Sequence, residues 1–227
     1  MTRWRKAILL ALALVLAYLA LAGAWAWAVF DEIRAAAPVA AGAPLSARQT
    51  AILLRVEDPT FFEHAGLSIA PGQGAATISS AVARDLFLGE SRPDGASGAL
   101  QRFYRGVFDC CKRIDLGRDV MTLVLDARMS KRDQLARYVA TVYMGTQDGR
   151  QVQGLEQAAR SYLGKPLAAT TDVEFVRLVA MIKAPNRYHP VRAPSALAQR
   201  SARIAALLAG RCAPSGWFDT EFEDCPP

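Results

Sequence analysis

The strongest constraint on this chain is a stretch that carries no charge. From Ala7 to Phe30 it reads AILLALALVLAYLALAGAWAWAVF, with no acidic, basic or histidine residue. As a helix at 1.5 Å per residue it would span about 36 Å, enough to cross a bilayer with some tilt. Arg3, Arg5 and Lys6 precede the run, and Asp31 and Glu32 follow it. The positive-inside tendency then puts the N-terminus in the cytoplasm and everything after Phe30 outside. Trp4 marks the inner end, and Trp25 and Trp27 mark the outer end, where interfacial indoles are favoured. A cleaved signal peptide is the competing reading, with small residues from Ala22 to Ala28 as a cleavage region. The run is longer than the roughly 7–15 residues of a signal core, so an uncleaved anchor is favoured. On either reading the remainder is exported.

The 227 residues leave room for one good-sized domain besides this segment. Net charge is +6, and Arg3, Arg5 and Lys6 supply half of it; beyond them, 24 basic residues face 21 acidic ones. With no basic stripe interleaved with aromatics, no nucleic-acid partner is expected. A mild attraction to anionic lipid or phosphate is all the charge supports. Cys110, Cys111, Cys212 and Cys225 form no Cys-x-x-Cys pair, which argues against zinc. An exported location permits disulfides. A local Cys212–Cys225 bridge is expected around Gly216 and Trp217, with pairing across the two sets left open.

The pattern after the apolar run is helical. Residues 31–45 are Ala- and Pro-rich and read as a linker, residues 46–210 as one domain, and residues 211–227 as a tail. Ser46 is placed to cap a helix ending near Val56. Ile78, Val82 and Leu86 recur at helical spacing within 76–88, and residues 89–98 read as an exposed loop before a helix over 99–113. A break near Gly117 precedes the apolar run VMTLVLDA, closed by Asp126 and Arg128. Ser130 opens a helix with the face Leu135, Tyr138, Val139, Val142 and Tyr143. TQDGRQVQ reads as a loop. Further helices carry Leu155 to Tyr162, then Phe175 to Ile182 behind a Thr171–Glu174 capping box. The last has Leu197, Ser201, Ile204 and Leu208 as its stripe. No segment alternates with period two, so the domain reads as all-α.

One stretch mixes ionisable and aromatic groups more densely than any other: Val56-Glu57-Asp58-Pro59-Thr60-Phe61-Phe62-Glu63-His64-Ala65-Gly66. Pro59 disfavours helical geometry at Asp58, so Glu57 falls at a forced helix end. A carboxylate there, backed by aromatics, is placed to have its pKa raised by partial burial, as a general base or acid requires. On local grounds alone, a capped turn with two core phenylalanines explains the stretch slightly better. Gly72 and Gly74 precede the helix of residues 76–88, where free amides and the helix dipole favour an anion. A glycine turn feeding a core helix is again the more economical local reading.

The order of motifs resembles the family 51 glycosyltransferases, the peptidoglycan transglycosylases that occur alone or as the first domain of penicillin-binding proteins. The resemblance runs from about Ala51 to Leu208. Glu57, Asp58, Phe61, His64 and Gly66 match every fixed position of that family's Glu-Asp-x-x-Phe-x-x-His-x-Gly. In the second motif Thr77, Ile78 and Ser79 hold. Ala76 replaces Ser, Ser80 and Ala81 replace two Gln, and Arg84 and Asp85 replace Lys and Asn. LDARMSKRDQLARYVATVYMG, GLEQAARSYLGK and TTDVEFVRLVAMIKAPNRYHP resemble the later motifs, with Ala140 where the family has Asn.

The resemblance implies a lysozyme-like helical fold behind one transmembrane helix, held at the outer face of the bacterial plasma membrane with its cleft near the lipid. It implies lipid II as substrate, a disaccharide-pentapeptide on undecaprenyl pyrophosphate. The first-motif Glu, here Glu57, would deprotonate the acceptor 4-hydroxyl. That oxygen would attack C1 of the growing chain as lipid pyrophosphate leaves with inversion. Asp58, Phe61 and His64 would support it, and Thr77, Ser79, Ser80, Arg84, Arg128 and Lys183 would contact substrate. Arg can grip phosphate oxygens bidentately. A divalent cation (Mg or Mn) on Glu57 or Asp58 is one further option. Other cell-wall synthesis proteins are expected among its partners.

Three departures bear on activity. The family's third motif, Arg-Lys-x-x-Glu, carries a second acid, and an ungapped count back from Asp126 puts Arg118 there, with Asp119 one residue away and Asp115 at the motif's second position. The Gln-Gln pair is lost, and the segment from Gly66 to Gly74 is short. Two functions remain in play: a divergent polymerising transferase with Glu57 as base and Asp119 as displaced second acid, or a pseudoenzyme that binds lipid-linked glycan or a wall-synthesis partner. Glycan cleavage is a weaker third, since nothing marks a hydrolytic water.

Overall fold

The apolar run becomes a single helix, α1 (Arg3–Ala36). In this computed structural model, residues 3–38, 44–89, 93–110 and 115–226 are described. Residues 3–17 of α1 are exposed all round, whereas Ala22, Trp25, Ala26, Val29, Phe30 and Ile33 form a buried stripe at helical spacing. It is the one described helix long and apolar enough to cross a membrane. The helix continues through Asp31-Glu-Ile-Arg-Ala-Ala36, so the expected linker starts later than residue 31. These residues are mostly good helix formers and Ile33 is buried, which carries the helix on. Residues 39–43 of that linker lie outside the described residues.

Contacts divide the chain into two units. The first comprises Met1–Pro38, Ala65–Leu67 and Ser79–Ser130; the second comprises Val39–His64, Ser68–Ile78 and Lys131–Pro227. In the first, α1 packs on α4 (Gly95–Cys110) and α5 (Leu116–Arg128). Trp25 sits against Phe87 and Tyr104 and donates its indole N–H to the Ser97 carbonyl at 3.1 Å. Phe87 belongs to α3 (Ile78–Leu88). α4 starts earlier than expected, inside what read as a loop, while residues 90–92 and 111–114 lie outside the described residues. The expected break near Gly117 falls at Asp115, the non-helical residue before α5. Asp115 caps α5 by accepting from the Arg118 amide at 3.0 Å, and Gly117 sits in the first turn where a larger residue would meet the Tyr18 hydroxyl.

The second unit is built on α2 (Ala47–Glu57), α8 (Asp172–Ile182) and α9 (Pro194–Leu208). Both α2 and α8 start with complete capping boxes, Ser46 with Gln49 and Thr171 with Glu174. Beside them lie α6 (Lys131–Thr141) and α7 (Leu155–Leu163). The expected loop TQDGRQVQ is instead a hairpin: β1 (Tyr143–Gln147) pairs antiparallel with β2 (Arg150–Gln153). Asp148 and Gly149 both take positive φ, the turn that Asp-Gly favours. The helix of Ser130 accordingly ends at Thr141 rather than at Gly145. The architecture is otherwise all-α, with this one small sheet among the described residues.

The tail is part of the second unit. Cys212 and Cys225 are disulfide-bonded, with Cα atoms 5.3 Å apart. The tail pairs with the glycine turn: the Gly72 amide donates to Gly216 at 2.9 Å and the Gly74 amide to Trp217 at 2.8 Å. Gly72 has φ +79°, and a Cβ there would fall 2.7 Å from Pro214 and 2.9 Å from Phe222. Gly72→Ala is therefore expected to destabilise the protein by more than about 1 kcal/mol, lowering the detergent-solubilised melting temperature by several degrees in a scan against wild type.

Candidate active site

Glu57 is the last residue of α2. The Asp58 amide still donates to Leu54 at 3.0 Å, but Asp58 leaves helical geometry at φ −158°, as Pro59 demands. The chain then turns, with the Phe61 amide bonded to Asp58 and that of Glu63 to Thr60.

Asp58 holds this turn. It is fully buried, and its two oxygens lie 3.0 and 3.2 Å from His64 Nε2 while Oδ2 also accepts the Ile78 amide at 2.9 Å. Burial pushes the Asp58 carboxyl above its ordinary value, against the Ile78 and His64 bonds. Phe61 is buried, stands edge-on to His64, and carries the Lys131 ammonium 4.7 Å from its ring centre. Asp58 and Phe61, being closed to solvent, act by shaping the turn. Phe62 beside them is exposed.

Glu57 itself is part-buried. Its pKa is pushed up to about 7, first by burial and slightly by Asp58; the charges of Arg200 and Lys183 and a bond from the Tyr138 hydroxyl at 3.4 Å pull the other way. A carboxylate poised there can take and return a proton near neutral pH. Lys183, exposed along its side chain, stands below its ordinary value through loss of water around its ammonium and the Arg200 charge, with Glu221 and Glu57 opposing. The residues do not make a cation cage. No group of three or more His, Cys, Asp or Glu occurs among the described residues, and the oxygens of Asp58 are already engaged.

The remaining expected residues divide between the units. Thr77, buried, lies with Glu57, Asp58, Phe61, His64 and Lys183 in the second unit. Ser79 and Ser80, both buried, and Arg84, exposed, lie on α3 within the first. Asp119 there pairs with Arg118 at 2.8 Å. The Arg128 guanidinium is engaged by α1, bonding Asp31 at 2.8 Å and stacking on Trp27 and Phe30.

The sequence alone did not mark Tyr138 and Arg200, which act on Glu57, or Glu221, which pairs with Arg200. Tyr138 looked like one more residue of an apolar stripe. Arg200 and Glu221 were not singled out at all. The signal for Arg200 was present: it falls three residues after Leu197 and four before Ile204, a charge on the buried face of α9. It is 3 % exposed, and the inward face is Leu197, Arg200, Ile204 and Leu207, not the one through Ser201 and Leu208. An apolar groove of about 650 Å³ between α2, α8 and α9 contains none of these residues.

With this geometry in hand, the comparison with known proteins is direct. A family model described as transglycosylase matches residues 37–209. The chain belongs to the transglycosylase family. It is 30 % identical over 159 residues to penicillin-binding protein 1B of Escherichia coli, covering 69 % of this chain and 18 % of that protein. It is 28 % identical over 170 residues to penicillin-binding protein 1B of Vibrio cholerae, covering 69 % and 20 %. A shorter relative from Cupriavidus necator, whose name also carries the word transglycosylase, is 26 % identical over 168 residues, covering 68 % and 63 %. The chain thus matches about a fifth of the length of the penicillin-binding relatives. The family match takes in Glu57, Tyr138, Lys183 and Arg200, and stops short of Glu221 and the disulfide.

The raised pKa of Glu57 makes stability depend on pH with a definite sign. Unfolded, this acid releases its proton near 4.5; folded, it keeps the proton until about 7. Its contribution is therefore full below 4.5, is lost as pH rises from 4.5 to 7, and is flat above. The loss is on the order of 3 kcal/mol. Glu57→Gln is expected to melt like wild type at pH 4 and several degrees higher at pH 8, read from melting temperature against pH.

Proposed function

We propose that this transglycosylase domain polymerises peptidoglycan from lipid II, with Glu57 as general base. The observation that carries the reading is one carboxyl poised near neutral pH at a helix end that a buried Asp58–His64 pair fixes, in a chain whose family match covers that motif. Glu57 takes the proton of the acceptor sugar 4-hydroxyl. The freed oxygen forms a bond to C1 of the growing chain, and the C1–oxygen bond to lipid pyrophosphate breaks, with the electron pair and the charge leaving on the phosphate. The Tyr138 hydroxyl orients the carboxylate, and Lys183 and Arg200 favour its charged form. Arg84, Thr77, Ser79, Ser80 and Arg128 are the groups we assign to substrate, with Arg84 the cation for the pyrophosphate. The domain works from the outer face of a bacterial plasma membrane, anchored by α1 with its N-terminus in the cytoplasm.

A second reading has one observation behind it. Arg118 stands where the resemblance puts the second acid, and Asp119 is tied to it in an ion pair. On that reading the chain binds lipid-linked glycan or a wall-synthesis partner without joining sugars. Labelled lipid II separates the two. Under transfer, full-length protein in lipid makes polymer, kcat/KM rises with pH along a limb near pH 7, and Glu57→Gln lowers it by about 10²–10⁴. Saturable binding of lipid II with no polymer at any pH would establish the second reading instead.

A further inference from the structure

The tail beyond α9 is a small closed structure with one face on the glycine turn. Cys212 and Cys225 bracket it. Inside the bracket the Asp219 carboxylate gathers the chain. Oδ2 accepts the Ser215 amide at 2.9 Å and the Ser215 hydroxyl at 3.2 Å, and Oδ1 accepts the Glu223 amide at 3.1 Å. The Asp219 amide donates to the Gly216 carbonyl at 3.3 Å. Between Ser215 and Asp219 lie the carbonyls of Gly216 and Trp217, which receive the Gly72 and Gly74 amides at 2.9 and 2.8 Å. The side chains of Trp217 and Phe218 are exposed, so at this point the tail grips through its backbone. Pro214 and Phe222 pack on Gly72, and Thr220 packs on Gly74. On α9, Arg200 Nη1 donates to the Thr220 carbonyl at 2.9 Å and to Glu221 Oε2 at 3.1 Å. The family match ends at residue 209, so it assigns the tail no role.

We propose that the disulfide-closed tail is a clasp for the reaction, with Asp219 as a positioning residue: it holds the Gly72–Gly74 turn, and through it the Ile78 amide, on the carboxylate that fixes Glu57. The proposal rests on the reading of Glu57 as the general base. The route is short and continuous. Four residues after Gly74, the Ile78 amide donates to Asp58 Oδ2 at 2.9 Å. The same carboxylate holds His64 and directly follows Glu57, the last residue of α2. Every residue on this route belongs to the second unit. The turn has little of its own to hold it. Gly72 and Gly74 take positive φ, and the Gln73 amide reaches back only to Ala70, at 3.1 Å. With the tail loose, the Gly72 and Gly74 amides lose their acceptors and the turn opens, because glycine restrains the backbone least. The Ile78 amide then leaves Asp58, and Glu57 loses the position from which it reaches the acceptor hydroxyl.

The test uses full-length protein in lipid, well below its melting temperature, and two readouts. Hydrogen exchange follows the Gly72, Gly74 and Ile78 amides, and polymerisation of labelled lipid II gives kcat and KM separately. Asp219→Ala is expected to speed exchange at all three amides by about tenfold. It should lower kcat by roughly 10–100-fold, with a smaller change in KM. Asp219→Asn keeps one acceptor oxygen and should fall between that variant and wild type. Wild-type protein reduced with a dithiol provides a measurement that needs no substitution: opening the bridge should move both readouts the same way, and reoxidation should bring them back. A tail that only adds stability would lower the melting temperature and leave kcat per folded molecule unchanged. Folded Asp219→Ala, or folded reduced protein, that keeps wild-type kcat or wild-type exchange at Ile78 therefore overturns the proposal. If Glu57→Gln still polymerises, the transfer reading has failed. If it is inactive while the folded reduced protein keeps wild-type kcat, that reading stands and this inference falls.

Discussion

The site depends on one buried hydrogen-bonded pair, Asp58 with His64. Asp58 has no exposure and three bonds, two of them to His64 and one to the Ile78 amide. A lone buried carboxylate would be costly, and removing one partner of such a pair typically costs about 3–5 kcal/mol. The pair ties together the end of α2, the turn through Phe61 and the segment that reaches Ile78. Pro59 stops the helix, and Asp58 decides where the chain goes afterwards. Glu57 takes its place from both, as the last residue of the helix that stops there.

A second buried charge plays the corresponding part behind the site. Arg200 would be expensive on the inner face of α9 without acceptors, and the tail supplies two of them. The same tail gives backbone acceptors to Gly72 and Gly74. A single covalently closed loop therefore steadies both the guanidinium that acts on Glu57 and the glycine turn that leads to Thr77.

Much of this was legible in the residues. The Glu57-to-Gly66 motif, the forced helix end and the capping boxes at Ser46 and Thr171 are local, and local physics writes them plainly. The hairpin was missed although Asp148-Gly149 is a strong turn signal, because Arg150 to Gln153 shows no apolar alternation to announce a strand. The break near Gly117 was legible, but its second role was not: the glycine makes room for Tyr18, a residue about a hundred positions away. Arg200 was visible as a charge on an apolar stripe. Its partner was not, because nothing local to α9 indicates that Glu221 returns to it. What the sequence hides is the long-range pairing of buried polar groups.

That pairing also bears on what counts as the domain. The family match spans residues 37–209, yet both segments outside it bury side chains inside the units. Trp25, Phe30 and Ile33 of α1 are core to the first unit, and Phe222 and Cys225 of the tail are core to the second. A piece cut at the limits of the match would expose the α1-facing sides of α4 and α5 and leave Arg200 without Glu221. α1 is therefore part of the first unit and not a mere leader to it. Its first half is exposed and apolar, and its second half completes the core of that unit. The helix runs unbroken from one half to the other as far as Ala36, so no linker separates the apolar run from the core it completes.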